Sequence, residues 1–306
     1  MLRYLLQRGA SSLFALLIIT VIVFSLSQLS GSPVDALLPD DATQEQIDIF
    51  IREWGLDQPL WKQYLTFLGN AVQGDFGVSL KWPGESAMGF VLDRMPATLR
   101  LGGLAILITL IIALPLGIAA AVYKGSAIDR IAQGFALLGQ SMPNFWLGIV
   151  LIWIFSVWLG WLPTSGIGSF AHLILPAIAI AWFQISALAR LTRSAMLEVL
   201  DAEYIKLARV KGVSEWAVVF KHALRNAAVV PLTYFGILAA SILTGSVVIE
   251  SVYSYPGMGW VAIEAIRGRD FPVVQAVIIA YAVIYMLSNL LVDLLYVIVN
   301  PRIKHG

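Results

Sequence analysis

The 306-residue chain predicts an all-α polytopic membrane protein. It has six transmembrane helices, cytoplasmic N- and C-termini, and a small extracytoplasmic helical subdomain between helices 1 and 2. Three observations predict this. The chain is 59% hydrophobic and only 13% charged, with a mean hydropathy of +0.82, where soluble domains carry roughly 25% charged residues. Five apolar stretches reach the length of about 20 residues that a helix needs to cross the hydrocarbon, and a sixth, from about Leu173 to Leu188, is slightly shorter. Thirteen of the 20 Lys and Arg fall on one side of that scheme: Arg3, Arg8, Lys124, Arg130, seven in one loop, Arg302 and Lys304. Short loops rich in Lys and Arg stay cytoplasmic.

The elements follow in order. Residues 1–29 hold a short basic start and a first span from Gly9 to about Leu29. That apolar run is longer than a signal-peptide core, and the Leu-Ser-Gly-Ser after it is a poor cleavage site, so the span is read as uncleaved. Residues 30–97 are acidic and water-compatible, and form the extracytoplasmic subdomain. There Thr43-Gln44-Glu45-Gln46 is a capping box opening a helix that Gly55 ends. Pro59 starts a second helix with Trp61, Tyr64, Leu65 and Leu68 on one side, ending near Gly74. Residues 98–306 are the core of five further spans. The second runs from Thr98 to Val122. The third runs from about Ile131 to Gly160, and Pro143 kinks or divides it. The fourth runs from about Leu173 to Leu188, the fifth from about Ala228 to Val248, and the sixth from Val273 to about Val299. Ten Trp and ten Tyr suit two water–lipid interfaces.

Between the fourth and fifth spans lies the most informative stretch, the loop at 194–227. Arg190, Arg193, Lys206, Arg209, Lys211, Lys221 and Arg225 fall in or beside it. Its pattern is helix, turn, helix. Apolar residues recur at three- and four-residue steps from Met196 to Val210, with a phase shift near Asp201. Gly212 supplies the turn, and Ser214 caps a second helix to about Arg225. Lying outside the membrane, a short helix with Tyr204, Ile205 and Leu207 has its apolar side left for a groove on a soluble partner. DNA binding is disfavoured, since the helices are tethered between spans without a third. A solvated inner-membrane loop without a partner is the plain alternative.

The run Glu203-Tyr204-Ile205-Lys206-Leu207-Ala208-Arg209-Val210-Lys211-Gly212, followed by His222-Ala223-Leu224-Arg225-Asn226-Ala227 and Pro231, resembles the "EAA" loop of ABC-importer permeases. It is most similar to the first permease subunit of the dipeptide, oligopeptide and nickel branch. The loop signature's first three places read Lys206-Leu207-Ala208 here. The likeness extends through Ser141-x-Pro143-x-Phe145-Trp146-Leu147-Gly148, Leu159 to Thr164, Leu188 to Arg193, and Gly245-Ser246-Val247-Val248-x-Glu250. The resemblance implies a bacterial inner-membrane permease that works with a second homologous permease subunit, two cytoplasmic ATPase subunits and an extracytoplasmic solute-binding protein. It implies that ATP and Mg are held in those partner subunits and no cofactor in this chain. It assigns ATPase coupling to Glu203, Tyr204, Ile205, Lys206, Leu207, Ala208, Arg209, Lys211 and Gly212. Close relatives serve peptides, glutathione, opines or nickel.

Enzyme chemistry finds no support in the residues. There is no GxxxxGK[ST] phosphate loop, no HExxH, no Gly-x-Ser-x-Gly elbow and no cysteine. His172, His222 and His305 sit in separate segments. Polar residues inside spans remain, because lipid penalises them. Gln140, Ser141, Asn144, Gln184, Thr244 and Ser246 are candidates for a hydrated path, with helix-to-helix hydrogen bonding as the alternative. Glu250 stands at the outer end of the fifth span, and Asp293 in the sixth is read as a structural pairing. The rivals are an ion-gradient-driven secondary transporter, which would want repeats and mid-membrane acids, and a membrane scaffold without transport.

Overall fold

The computed structural model describes residues 2–29, 42–53 and 55–299, with the side chains of 2–7, 53, 236–237, 239–240, 243–245 and 291–299 outside the description. Trp54, the acids Asp35, Asp40 and Asp41, and the closing Asn300-Pro301-Arg302-Ile303-Lys304 lie outside the described residues, as do the side chains of Thr244 and Asp293. The described residues are helical throughout, apart from turns and one isolated bridge between Val78 and Ser86. The helices are α1 (Leu2–Leu29), α2 (Gln44–Glu53), α3 (Leu60–Val72), α4 (Ala87–Val122), α5 (Ala127–Ser141), α6 (Asn144–Leu151, continued by the π-wound Ile152–Trp158) and α7 (Ala171–Leu200). They continue as α8 (Glu203–Val210), α9 (215–227, π-wound over Val218–Ala223), α10 (Val229–Val252), α11 (Met258–Arg267) and α12 (Phe271–Val299).

Among the described residues, four helical stretches are long and apolar enough to cross a bilayer: Arg8–Leu29, Ala87–Val122, Ala171–Leu200 and Phe271–Leu290. A fifth crossing results if α5 and α6, bent by 105° at their break, form one span. The break follows from Pro143, which stands as the residue before α6 with extended backbone and supplies no N–H to the preceding turn. α10, 24 residues long, has part of its side chains outside the description.

The chain divides into two compact units. The first comprises Met1–Ala97 with Pro256–Met286. Thr43 and Gln46 make the expected reciprocal cap: the Thr43 N–H donates to Gln46 Oε1 at 2.9 Å and the Gln46 N–H to Thr43 Oγ1 at 3.4 Å. The face of α3 differs from the expectation. Tyr64 and Phe67 pack on Phe24 of α1, while Trp61 and Leu65 are 65% and 55% exposed. Tyr64 also shares a 2.9 Å hydrogen bond with Thr20, and that polar anchor fixes the rotation of the helix. The unit's core joins Phe76, Phe90 and Val91 to Met258, Val261, Val273 and Val277.

The second unit comprises Thr98–Tyr255 with Leu287–Gly306. Its helices approach through small residues. A Cβ on Gly139 of α5 would lie 1.6 Å from Ser186 Oγ of α7, and one on Gly117 of α4 would lie 2.6 Å from the Ala189 carbonyl. Lipid supplies no hydrophobic drive between helices, so such close van der Waals approach is what joins them. At one end, Tyr253 Oη donates to the Gly148 carbonyl at 3.0 Å and the Gly166 N–H donates to the Tyr253 carbonyl at 2.9 Å.

Candidate functional site

The loop between α7 and α10 is built on a small core of its own. The phase shift near Asp201 is a real break: α7 ends at Leu200 and α8 begins at Glu203. Ile205 is fully buried there, against Met196, Leu200, Val218, Val219 and Ala223. Gly212 has φ +79°, the left-handed region that a β-branched residue enters only at a cost. Ser214 then caps α9, accepting from the Ala217 N–H at 3.4 Å. Arg209 closes the corner by donating to Glu215 at 2.8 Å. Lys206 donates to Glu203 at 2.8 Å, and that bond raises the Lys206 pKa.

With Ile205, Val218, Val219 and Ala223 turned inward, five large apolar side chains of the loop point out. Tyr204, Leu207 and Val210 on α8 are 47%, 53% and 84% exposed, and Trp216 and Phe220 on α9 are 70% and 45% exposed. Trp216 and Phe220 lie ring against ring at 5.3 Å. Of the nine residues assigned to coupling, Ile205 is the internal anchor and Ala208 is half-buried. Glu203, Tyr204, Lys206, Leu207, Arg209, Lys211 and Gly212 are exposed. Trp216 and Phe220 went unnoticed in sequence. Their signal was two aromatics at i, i+4 in a polar loop, a spacing that shares a helix face.

The polar residues of the spans fall into separate groups. Gln140 accepts from Arg190 Nη1 at 3.0 Å. Ser141 donates to the carbonyl of Leu137 in its own helix at 2.9 Å, and Asn144 opens α6 half-buried. Gln184 bridges α7 to α10, donating to Ser241 Oγ at 3.1 Å and accepting from Tyr234 Oη at 3.4 Å. Ser246 is fully buried, as is Glu250, which accepts from Thr98 Oγ1 at 2.9 Å. A cavity of about 230 Å³ lies among α4, α5 and α7, with Gln133, Gln140, Arg190 and Arg193 as its polar lining. Gln140 thus borders a cavity, whereas Gln184 is spent on joining helices.

The neighbouring Asp129 and Arg193 form a bidentate pair at 2.7 and 2.8 Å. Asp129 is buried and also accepts from the Gly125 N–H and from Gln133 Nε2, each at 2.9 Å. This clamp fixes the start of α5 to α7. Pairing across 64 residues leaves no local pattern by which sequence reasoning could single out Asp129.

Comparison with known proteins agrees along the whole chain. Residues 113–305 match the model of the "Binding-protein-dependent transport system inner membrane component", and residues 1–102 match the N-terminal model of that membrane component. The chain is 38% identical to the oligopeptide transport system permease protein AppB of Bacillus subtilis over 316 residues, covering 100% of both. It is 38% identical to the glutathione transport system permease protein GsiC of Escherichia coli over 306 residues, again covering 100% of both. It is 40% identical to a putative peptide transport system permease protein of Brucella abortus, covering 98% of each. Among solved structures, a chain of the MetNI methionine ABC transporter in inward-facing conformations superposes with a TM-score of 0.60 at 19% identity. That match covers 69% of this chain and 97% of the other, and shares its fold.

Proposed function

This chain belongs to the family of binding-protein-dependent transport system inner membrane components, and from that premise we propose that it forms half of an import path for short peptides or a similar small polar solute. The relatives named for oligopeptides, glutathione and peptides support that solute class. In this reading α1, α4, the broken pair α5–α6, α7, α10 and α12 make six crossings, with both termini and the α8–α9 loop in the cytoplasm and residues 30–97 outside. The partners are a second permease, two ATPase subunits that hold ATP and Mg, and an external solute-binding protein. The membrane is the bacterial inner membrane.

One observation carries the coupling role: a short helix with its anchor buried and its other large apolar residues exposed. Burying Ile205 stabilises α8 on the end of α7, so that a push on α8 is a push on the span. The exposed row of Tyr204, Leu207 and Val210 is the complement of a groove, read at helical spacing. Gln184, Tyr234 and Ser241 tie α7 to α10, so the spans on both sides of the loop respond together. ATP hydrolysis in the partners then biases a two-state bundle between outward and inward access. Gln140, Ser141, Asn144, Ser246 and, outside the described side chains, Thr244 remain path candidates; Gln184 serves the bundle as well.

The test is purification of the assembly from its native host, with ATPase activity measured with and without the external receptor. Co-purifying ATPase subunits whose activity rises with loaded receptor are expected. A chain that purifies without ATPase activity would defeat this reading.

A further inference from the structure

Arg190 and Arg193 stand one turn apart on α7 and border the same cavity. Their charges are handled differently. Arg193 is neutralised by the buried Asp129, which takes two hydrogen bonds from it. Arg190 meets a neutral amide oxygen, Gln140 Oε1 at 3.0 Å, and among the described residues no carboxylate pairs with it. Arg190 is exposed, two residues past the apolar stretch that ends at Leu188, so its guanidinium stays charged at the rim of the cavity and within reach of an anion that enters it.

The cavity's chemistry fits that charge. Gly117, Ala120, Ala132, Ala136 and Ala189 line it without filling it, and the space is about 230 Å³. Its polar lining is two guanidiniums and two amides, with no acid. With Arg193 cancelled by Asp129, the cavity keeps one net positive charge. Gln140 occupies one guanidinium nitrogen and leaves the rest of the planar donor fork for an oxyanion. The volume accommodates a carboxylate with a small adjoining side chain.

We propose that Arg190, aimed by Gln140, binds the carboxylate of the solute in transit. This makes Arg190 a specificity-determining residue of the path and selects solutes with a free acid end. The inference rests on the reading that this chain lines the path of a peptide-like solute. An anionic lipid phosphate offers similar oxyanion chemistry, and the experiment separates the two.

The complete importer is treated with phenylglyoxal, and modification of Arg190 is followed by peptide mass spectrometry. Trialanine is expected to slow modification at Arg190 at least about fivefold, since a charge-assisted hydrogen bond is worth a roughly tenfold change in occupancy. Trialanine amide is expected to leave the rate unchanged. Protection by both peptides, or by neither, overturns the proposal. Protection by added phosphatidylglycerol in place of trialanine assigns Arg190 to lipid and overturns it too. A second arm measures ATP-driven trialanine uptake in proteoliposomes with the receptor present. Arg190→Gln is expected to lower uptake roughly tenfold, and Arg190→Lys to retain only part of it, since an ammonium keeps the charge without the planar fork. Normal uptake by Arg190→Gln rejects this inference alone, whereas absence of uptake by the unaltered importer rejects the peptide reading beneath it.

Discussion

Two corners of the molecule are built from similar parts and finished in opposite ways. In the first unit, the turn at residues 79–82 is closed on itself. Asp270, fully buried, accepts from Ser79 Oγ, from the Lys81 N–H at 3.1 Å and from the Val273 N–H at 3.3 Å, so one carboxylate caps α12 and pins a distant turn. Ser79 Oγ in turn accepts from the Trp82 N–H at 2.9 Å, and Trp82 stacks on Phe90 at 4.5 Å. In the second unit, the α8–α9 corner keeps only Ile205 and a few neighbours inside and leaves five large apolar side chains in the open. The first corner spends its groups on its own stability. The second holds its shape with little and presents the remainder. A region of the first kind fails by unfolding; one of the second kind, under the proposed coupling role, fails by losing a partner.

The largest effect expected from that contrast is on Asp270. Asp270→Ala strands at least two buried donors at about 1–3 kcal/mol each, a loss of roughly 2–6 kcal/mol. It should appear as a steep fall in thermal midpoint in detergent, and an unchanged midpoint would dissolve the contrast. Next comes Tyr204→Asp with Leu207→Asp. Both side chains are exposed, so the midpoint should hold within about 0.5 kcal/mol, while retention of ATPase subunits on purification falls at least about tenfold. Ile205→Asp is the control that separates the two failures. It buries a charge in the loop's own core and should lower both stability and complex yield.

A smaller effect is expected at Gly212. Nothing lies within 4 Å of a Cβ placed there, so the penalty of Gly212→Val is purely conformational. A left-handed backbone costs an L-residue roughly 1–2 kcal/mol. Transport should fall while the protein stays in the membrane, and Gly212→Asn should restore much of it. The smallest effect is at Glu264, whose pKa is lowered chiefly by the hydrogen bond from Lys81 at 2.6 Å. A lowered pKa in the folded state means that the unfolded chain binds the proton first. The pair therefore contributes above the ordinary glutamate range, and its contribution is lost as pH falls through the folded value. Lys81→Met should flatten the decline in thermal midpoint as pH falls below the ordinary glutamate range.

Much of this was legible in local patterns. The capping box at Thr43 and Gln46, the turn at Gly212, the cap at Ser214 and the break at Pro143 are each set within a few residues, and each stands where the sequence indicated. The family was legible for the same reason, since short motifs between apolar spans survive without knowledge of the packing. Which residues of α3's apolar side turn inward was not legible, because helical periodicity groups Trp61, Tyr64, Leu65 and Leu68 without ranking them; the bond from Tyr64 to Thr20 decides it. Exposure within α8 was likewise undetermined, and only the packing of Ile205 against α7 and α9 separated the buried anchor from the exposed row.

The chain's composition, hydrophobic lengths and motif order determined by themselves that it is a helical membrane permease component, because those properties are sums or short-range patterns along one dimension. Which arginine is neutralised and which retains its charge was decided only in three dimensions. Arg190 and Arg193 look alike in sequence, and their difference lies in whether a carboxylate from another helix reaches them. Electrostatic pairing depends on distance through space, and the fold alone supplies that distance.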